Sequence, residues 1–222
     1  MLKPVAGYAE YLFTMMHGFS FDAPLDSFPM SDGSHEVGSS SVSVALPPVT
    51  VRRLTADDSA AEITRLLHRA YANQMMMGLR PWAGRQDEAT TRKRADNSES
   101  YVASIPALDA AGRVTGEKIV GVILLNEVEQ AIFPALFLRP DVAHFSQFGV
   151  DPDHQGLGIG GKLLTQVEKR AKDIGASQLA LSMAEPDTKL REYYEKRGYV
   201  FAEHWQWPYT NYRSLLLSKA MQ

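Results

Sequence analysis

Four glycines in six positions, Gly156, Gly158, Gly160 and Gly161, sit inside the stretch FGVDPDHQGLGIGGKLL (148–164). No other segment limits the fold as strongly. The residues up to Val150 read as the end of a buried strand, and a five-residue turn follows. From Ile159 to Ile174, Leu163, Leu164, Val167 and Ala171 recur at helical spacing until Gly175 stops the run. Glycines let a backbone come close to a ligand, and a helix start offers unpaired N–H groups at the positive end of its dipole. Strand, glycine turn and helix together make a cradle for a phosphate.

Three glycine-loop patterns compete for this stretch. Gly156, Gly158 and Gly161 satisfy G-x-G-x-x-G, but a dinucleotide fold needs a second mononucleotide half, and too little chain remains after Gly161. Gly156 to Lys162 also satisfy the first seven positions of a P-loop, but Leu163 stands where a Ser or Thr must hold magnesium. The third pattern is Gln155-x-x-Gly158-x-Gly160. With VDPDHQGLGIGGKLL around it, it resembles motif A of the GNAT superfamily of acyl-CoA-dependent N-acyltransferases. The resemblance implies that backbone amides from Gln155 to Gly161 bind the pyrophosphate of coenzyme A. The residues it assigns to the coenzyme are Phe148, Gly149 and Val150 on the strand, then Gln155, Gly156, Leu157, Gly158, Ile159, Gly160, Gly161 and Lys162.

LREYYEKRGYVF (190–201) resembles the family's motif B, in which a tyrosine before the Glu-Lys pair lies near the thioester. That match makes Tyr194 the candidate general acid, since a phenol with a pKa near 10 suits a leaving thiolate. The competing reading is a packing tyrosine beside Tyr193. His144 lies on the central strand eleven residues before Gln155, where many members carry a Glu that acts through water. A histidine titrating near pH 6.5 could accept the amine's proton; equally, it could be a hydrogen-bonded core residue. Strict alternation predicts His144, Ser146 and Phe148 on one face and Phe145, Gln147 and Gly149 on the other, with a bulge at Gly149. Gln147 can only orient substrate or water. His154 reads as a solvated loop residue, and Trp205, Trp207, Tyr209 and Tyr212 as sheet and core, with room for one ring to line an acceptor pocket.

Outside the motifs, Thr50–Leu54 reads as a strand, and Thr55-Ala56-Asp57-Asp58 as the cap of a helix to about Ala72 with Ile63, Leu66, Leu67 and Ala70 on one face. Met75–Met77 in the connection 73–84 read either as core filling or as a pliable acceptor wall. A basic helix is expected over 86–95, its Arg92-Lys93-Arg94 run a solvated face. Strands over 101–105 and 118–126 form a hairpin across Asp109–Gly112, and the apolar insertion 127–141 reads as a lid or interface. Strands over 178–183, 199–207 and 212–218 and a helix over 188–196 complete the order. Residues 1–48 differ from the rest: an aromatic cluster, a Ser/Gly-rich run and Pro47-Pro48 read as a flexible leader or a docking arm.

Bulk properties narrow the function. A formal charge of −3 gives no reason to expect nucleic acid or an anionic membrane as partner. With no cysteine, disulfides, thiolate zinc sites and cysteine nucleophiles are excluded, and a cytoplasmic protein is expected. The expected fold is α+β, a GNAT-like mixed, mostly antiparallel central sheet flanked by helices on both faces, over residues 49–222. The resemblance implies an N-acetyltransferase that uses acetyl-CoA without a metal. Its expected partner is a small-molecule primary amine, attacking directly in a ternary complex. A peptide or protein amine is the alternative acceptor, and a non-catalytic acyl-CoA sensor the alternative function. A homodimer is the assembly the leader's aromatics allow.

Overall fold

The computed structural model describes residues 48–127 and 133–221. The leader, and the part of the insertion at 128–132, lie outside the described residues. Seven strands form one sheet in the order β1-β2-β3-β4-β5-β7-β6. They are β1 (Thr50–Arg53), β2 (Glu99–Leu108), β3 (Val114–Leu125), β4 (Val142–Val150), β5 (Gln178–Ala184), β6 (Val200–Trp205) and β7 (Ser214–Ala220). Every neighbouring pair is antiparallel except β4 with β5. The β2–β3 hairpin turns at Asp109–Gly112. There the Asp109 carboxylate accepts the N–H groups of Ala111 and Arg113, and Gly112 takes φ +75°.

Helices cover both faces. On one side α1 (Ala60–Ala70) lays Ile63, Leu66 and Leu67 against Val102, Val122 and Leu124. The short α2 (Ala72–Met76) and α3 (Glu88–Asp96) follow it. On the other side α4 (Ile159–Asp173) buries Leu163, Leu164 and Val167 against Phe145, Leu179 and Leu181, beside α5 (Thr188–Glu195). The mixed, mostly antiparallel sheet and its two helical layers are those expected from the sequence.

Local departures have physical causes. Helix α1 is capped by Ser59, whose side chain accepts from Glu62 N–H; Asp58 is engaged instead by both terminal nitrogens of Arg52 at 2.8 Å. The methionines do not fill the core: Met75, Met76 and Met77 are 38%, 78% and 51% exposed, and beyond the turn at Gly78, φ +79°, Leu79 and Ala83 are the buried residues. Arg94 is not part of a solvated face, since its side chain is 14% exposed and paired with Glu127.

Strand β4 carries the decisive irregularity. Val122 pairs with Gly149 and Leu124 with Ser146, so Ile123 alone opposes both Gln147 and Phe148. The bulge therefore sits at Gln147, with φ +47°, and not at Gly149. One extra residue shifts the alternation by one. His144, Ser146, Gln147 and Gly149 consequently face the α1/α3 side, whereas Phe145 and Phe148 pack on Tyr194 in the α4/α5 layer. The expected grouping of Phe148 with His144, and of Gln147 with Phe145, is corrected by this slip. Parallel pairing of β4 with β5 runs only from Val142↔Gln178 to Phe145↔Leu181. Beyond that the two strands part like a fork, while β5 stays paired with β7 as far as Ala184.

Candidate active site

The glycine loop closes one arm of the fork. Gly158 caps α4 in the left-handed region at φ +76°, and the first helical bond runs from Lys162 N–H to Gly158 O at 3.1 Å. The N–H groups of Ile159, Gly160 and Gly161 are thus left directed out of the helix end. Above Gly156 and Gly158 a Cβ would meet nothing within 4 Å, so a ligand can lie against the backbone there. Gly160 serves packing as well: a Cβ would come within 3.1 Å of both the Phe148 ring and the Tyr193 hydroxyl. A shallow groove continues past Gly158, Gly161 and Lys162 towards Val49 and Val51. Close by, the Arg197 guanidinium lies over the Tyr193 ring at 3.6 Å, its Nη2 nearest the space above Gly161.

The turn before the loop is pinned rather than solvated. Asp151 N–H donates to Val120 O at 2.9 Å, and the Asp151 carboxylate meets His154 Nδ1 at 3.2 Å and the Arg69 guanidinium at 3.3 Å. His154 is therefore a partly covered structural residue. Gln155 Nε2 donates to Val150 O at 3.1 Å, tying the loop back to the strand end.

Tyr194 closes the α5 side of the fork. It is 4% exposed and its ring contacts Phe145 and Phe148 of β4, Tyr193 and Tyr199. Burial pushes its hydroxyl well above the usual phenol range, so the proton is held throughout any working pH. Asp187 caps α5 by accepting Leu190 N–H and also accepts from Gln74 Nε2 at 2.9 Å.

On the α1/α3 side of the fork lies a cavity of about 120 Å³, reaching Phe145 on β4 and Met183 on β5. Its aromatic walls include Trp82, Phe133, Phe137, Trp207, Tyr209 and Tyr212. Trp207 stacks on Tyr209 at 5.6 Å, and Trp82 tilts against Tyr209 at 5.2 Å. Three rings of the C-terminal aromatic cluster thus line the cavity, more than the one allowed from sequence; Trp205 does not. His144 is held among them, 4.6 Å from Phe137 and 5.4 Å from Phe133 between ring centres. Burial lowers its pKa to about 4, opposed by Glu127, so it is neutral at pH 7 and a weaker base than a histidine titrating near 6.5.

That depression carries a pH dependence of stability. Between pH 6.5 and 4 the unfolded chain binds a proton at His144 that the folded chain does not. The contribution is therefore complete above pH 6.5 and is lost as pH falls towards 4. At about 1.4 kcal/mol per unit, the loss expected between pH 7 and 4.5 is roughly 2 kcal/mol. Denaturant titrations of wild type and His144→Phe at the two pH values measure it: the variant should lose less stability by about that amount.

Sequence reasoning missed the polar floor of the cavity. Arg94 Nη2 donates to Glu127 Oε2 at 2.9 Å and Arg94 Nε to Glu127 Oε1, a bidentate pair; Ser146 Oγ also donates to Glu127. Arg94 Nη1 donates to Gln86 Oε1 at 2.9 Å. The partners stand 33 residues apart, on α3 and at the end of β3, and no local pattern joins them. Glu127→Ala removes the carboxylate that accepts two bonds from the largely covered Arg94 guanidinium, and a loss of about 3 kcal/mol or more in denaturant midpoint analysis is expected. A loss below 1 kcal/mol would show that water reaches the pair.

Fold and site together can be set beside known proteins. The family described as Acetyltransferase (GNAT) family matches residues 66–199. The chain belongs to the GNAT family. Membership indicates an acyl-CoA-dependent acetyltransferase, and the matched span runs from within α1 to Tyr199, just before β6, enclosing fork, glycine loop and Tyr194. Among solved structures, this GNAT chain is similar to the ribosomal-protein-S18-alanine N-acetyltransferase of Escherichia coli, with 17% identity and a TM-score of 0.55 over 79% of this chain and 95% of that one. It is also similar to yncA of Salmonella typhimurium, solved with its cofactor acetyl-CoA, with 17% identity and a TM-score of 0.53 over 79% and 95% of the two chains. A GNAT family acetyltransferase of Elizabethkingia anophelis with acetyl-CoA bound gives 17% identity and a TM-score of 0.50 over 78% and 97%. At such identities the likeness is one of fold. Comparison with curated proteins gave no match.

Proposed function

We propose that the protein transfers the acetyl group of acetyl-CoA to a primary amine of a small molecule, by direct attack within a ternary complex. One observation supports this above all: the β4–β5 fork has the glycine loop and α4 on one side and the aromatic cavity on the other. The residues fit the coenzyme. The amides of Ile159, Gly160 and Gly161 suit a pyrophosphate, with Gln155, Gly156, Leu157, Gly158 and Lys162 shaping the loop and Phe148, Gly149 and Val150 bordering it. Acetyl-CoA supplies the acyl group as a thioester.

In this reading Tyr194, at the fork and protonated at working pH, donates its proton to the departing sulfur, as a weaker acid than the free phenol because of its burial. His144, neutral and in the cavity wall, accepts or relays the proton that the amine sheds, limited by its low basicity. The cavity is closest in size to one small ring, since an apolar cavity of ~150 Å³ holds benzene. That favours a small apolar or aromatic amine over a protein segment. The test is thiol release on mixing the protein, acetyl-CoA and a panel of amines. Release that depends on an apolar or aromatic amine is expected. Polyamines as much the better substrates would overturn the account of the cavity, and no release with any amine would leave an acyl-CoA-binding protein.

A further inference from the structure

Gln147 holds a buried donor that no described residue uses. Its side chain lines the cavity, the residue is 5% exposed, and among the described residues Nε2 has no hydrogen-bond partner. Buried amide donors are rarely left unpaired, and one that faces a cavity asks for an acceptor brought from outside. The backbone repeats the point. Gln147 is a non-glycine residue at φ +47° in the bulge that opens the fork, a conformation disfavoured for its side-chain type and concentrated at functional sites.

The orientation of this amide follows from its neighbours. Arg94 can only donate, so Gln86 must present Oε1 to Arg94 Nη1, at 2.9 Å. Gln86 Nε2 therefore points the other way, donating to Thr91 Oγ1 and to Gln147 Oε1 at 2.8 Å each. With its oxygen taken, Gln147 keeps its NH₂ as the unused group, buried behind the cavity that its side chain lines. The polarity of this relay is set by one guanidinium, that of Arg94, acting on Gln147 through Gln86. Arg94 is itself matched by Glu127, so this wall offers a neutral donor and no net positive charge to a carboxylate.

We propose that Gln147 Nε2 donates to a carbonyl oxygen of the acceptor, and that the acceptor is an α-amino amide, or similar α-amino carbonyl compound, with a ring-sized apolar side chain. This rests on the acetyl-transfer reading above and narrows its acceptor class. The carbonyl binds Gln147 and the side chain fills the aromatic walls. Held at those two points, the amine is turned toward the point beyond Phe145 and Leu181 where β4 and β5 part. Gln147 is thus a specificity residue and takes no part in proton transfer.

The experiment compares two amines of one shape: phenylglycinamide, and 1-phenyl-2-methylpropylamine, which has isopropyl in place of the carboxamide. Because they differ in basicity, the readout is the ratio of their kcat/KM values within each protein. The wild-type ratio should exceed that of Gln147→Met roughly tenfold, the weight of one net hydrogen bond. Gln86→Glu is the second variant: a carboxylate there accepts from Gln147, which turns the amide round and presents its oxygen to the cavity. Its ratio should fall as far or further, though Gln147 itself is intact. A merely structural role would lower both rates together and leave the ratio unmoved. Ratios within twofold of wild type in the folded variants overturn the inference, as does a wild type that releases thiol with other panel amines but with neither of this pair. No thiol release with any amine overturns the acetyl-transfer reading beneath it instead.

Discussion

Tyr194→Phe is expected to bind acetyl-CoA as wild type does and to turn over roughly 10²–10⁴-fold more slowly, the range for loss of a general acid. The substitution deletes one oxygen from a ring wedged among Phe145, Phe148, Tyr193 and Tyr199, so the packing that positions α5 against β4 remains. Only the proton at the fork is lost. A thiolate then has to depart unprotonated or wait for water, which this buried site admits poorly. Calorimetric titration with coenzyme A controls for binding, and single-turnover thiol release reports the step itself. A rate within a factor of two of wild type would make Tyr194 a packing residue alone, as its burial by itself would suggest.

Gly158→Asp is expected to abolish coenzyme binding, with an affinity loss of a hundredfold or more, in a chain that still folds. A Cβ at this position meets nothing within 4 Å, so folding loses only the cost of a non-glycine residue at φ +76°. That cost is about 1–2 kcal/mol. The carboxylate, however, stands beside the amides of Ile159 to Gly161 and competes for them while repelling an incoming phosphate. Charge-assisted bonds of about 1.5–3 kcal/mol each are at stake. Gly160→Asp is the poorer probe, because its side chain would strike Phe148 and Tyr193 and unsettle the core. Unchanged affinity in folded Gly158→Asp would remove the loop from the coenzyme site.

What could be read in the sequence was whatever is encoded within a few residues. The strand–glycine–helix unit was legible because left-handed glycines and a helix cap leave a local pattern, and α4 runs where Leu163, Leu164, Val167 and Ala171 placed it. The sheet's class was legible from strand order. Three things were not. The bulge at Gln147 was hidden because glycine at 149 is the commoner place for one, whereas this bulge is fixed by pairing with β3. His144's low basicity depends on Phe133, Phe137 and the cavity around it, which arrive from distant segments. Arg94 looked like one of three surface cations until Glu127, from the next hairpin, claimed it.

The fork has a mechanical consequence. The sheet is two antiparallel groups, β1-β2-β3-β4 and β5-β7-β6, stitched together by a seam that ends after Phe145 and Leu181. Past the seam the backbone groups on the facing edges of β4 and β5 have no strand among the described residues to pair with, like two halves of a zip left open. A ligand lying in that gap with amide groups of its own acts as a splint across the halves. Coenzyme binding should therefore stiffen the molecule well beyond the loop that grips the phosphates. The amides of Ser146 to Phe148 and of Ser182 to Ala184 are where slowed hydrogen exchange would register it, by mass action on whichever openings part the seam.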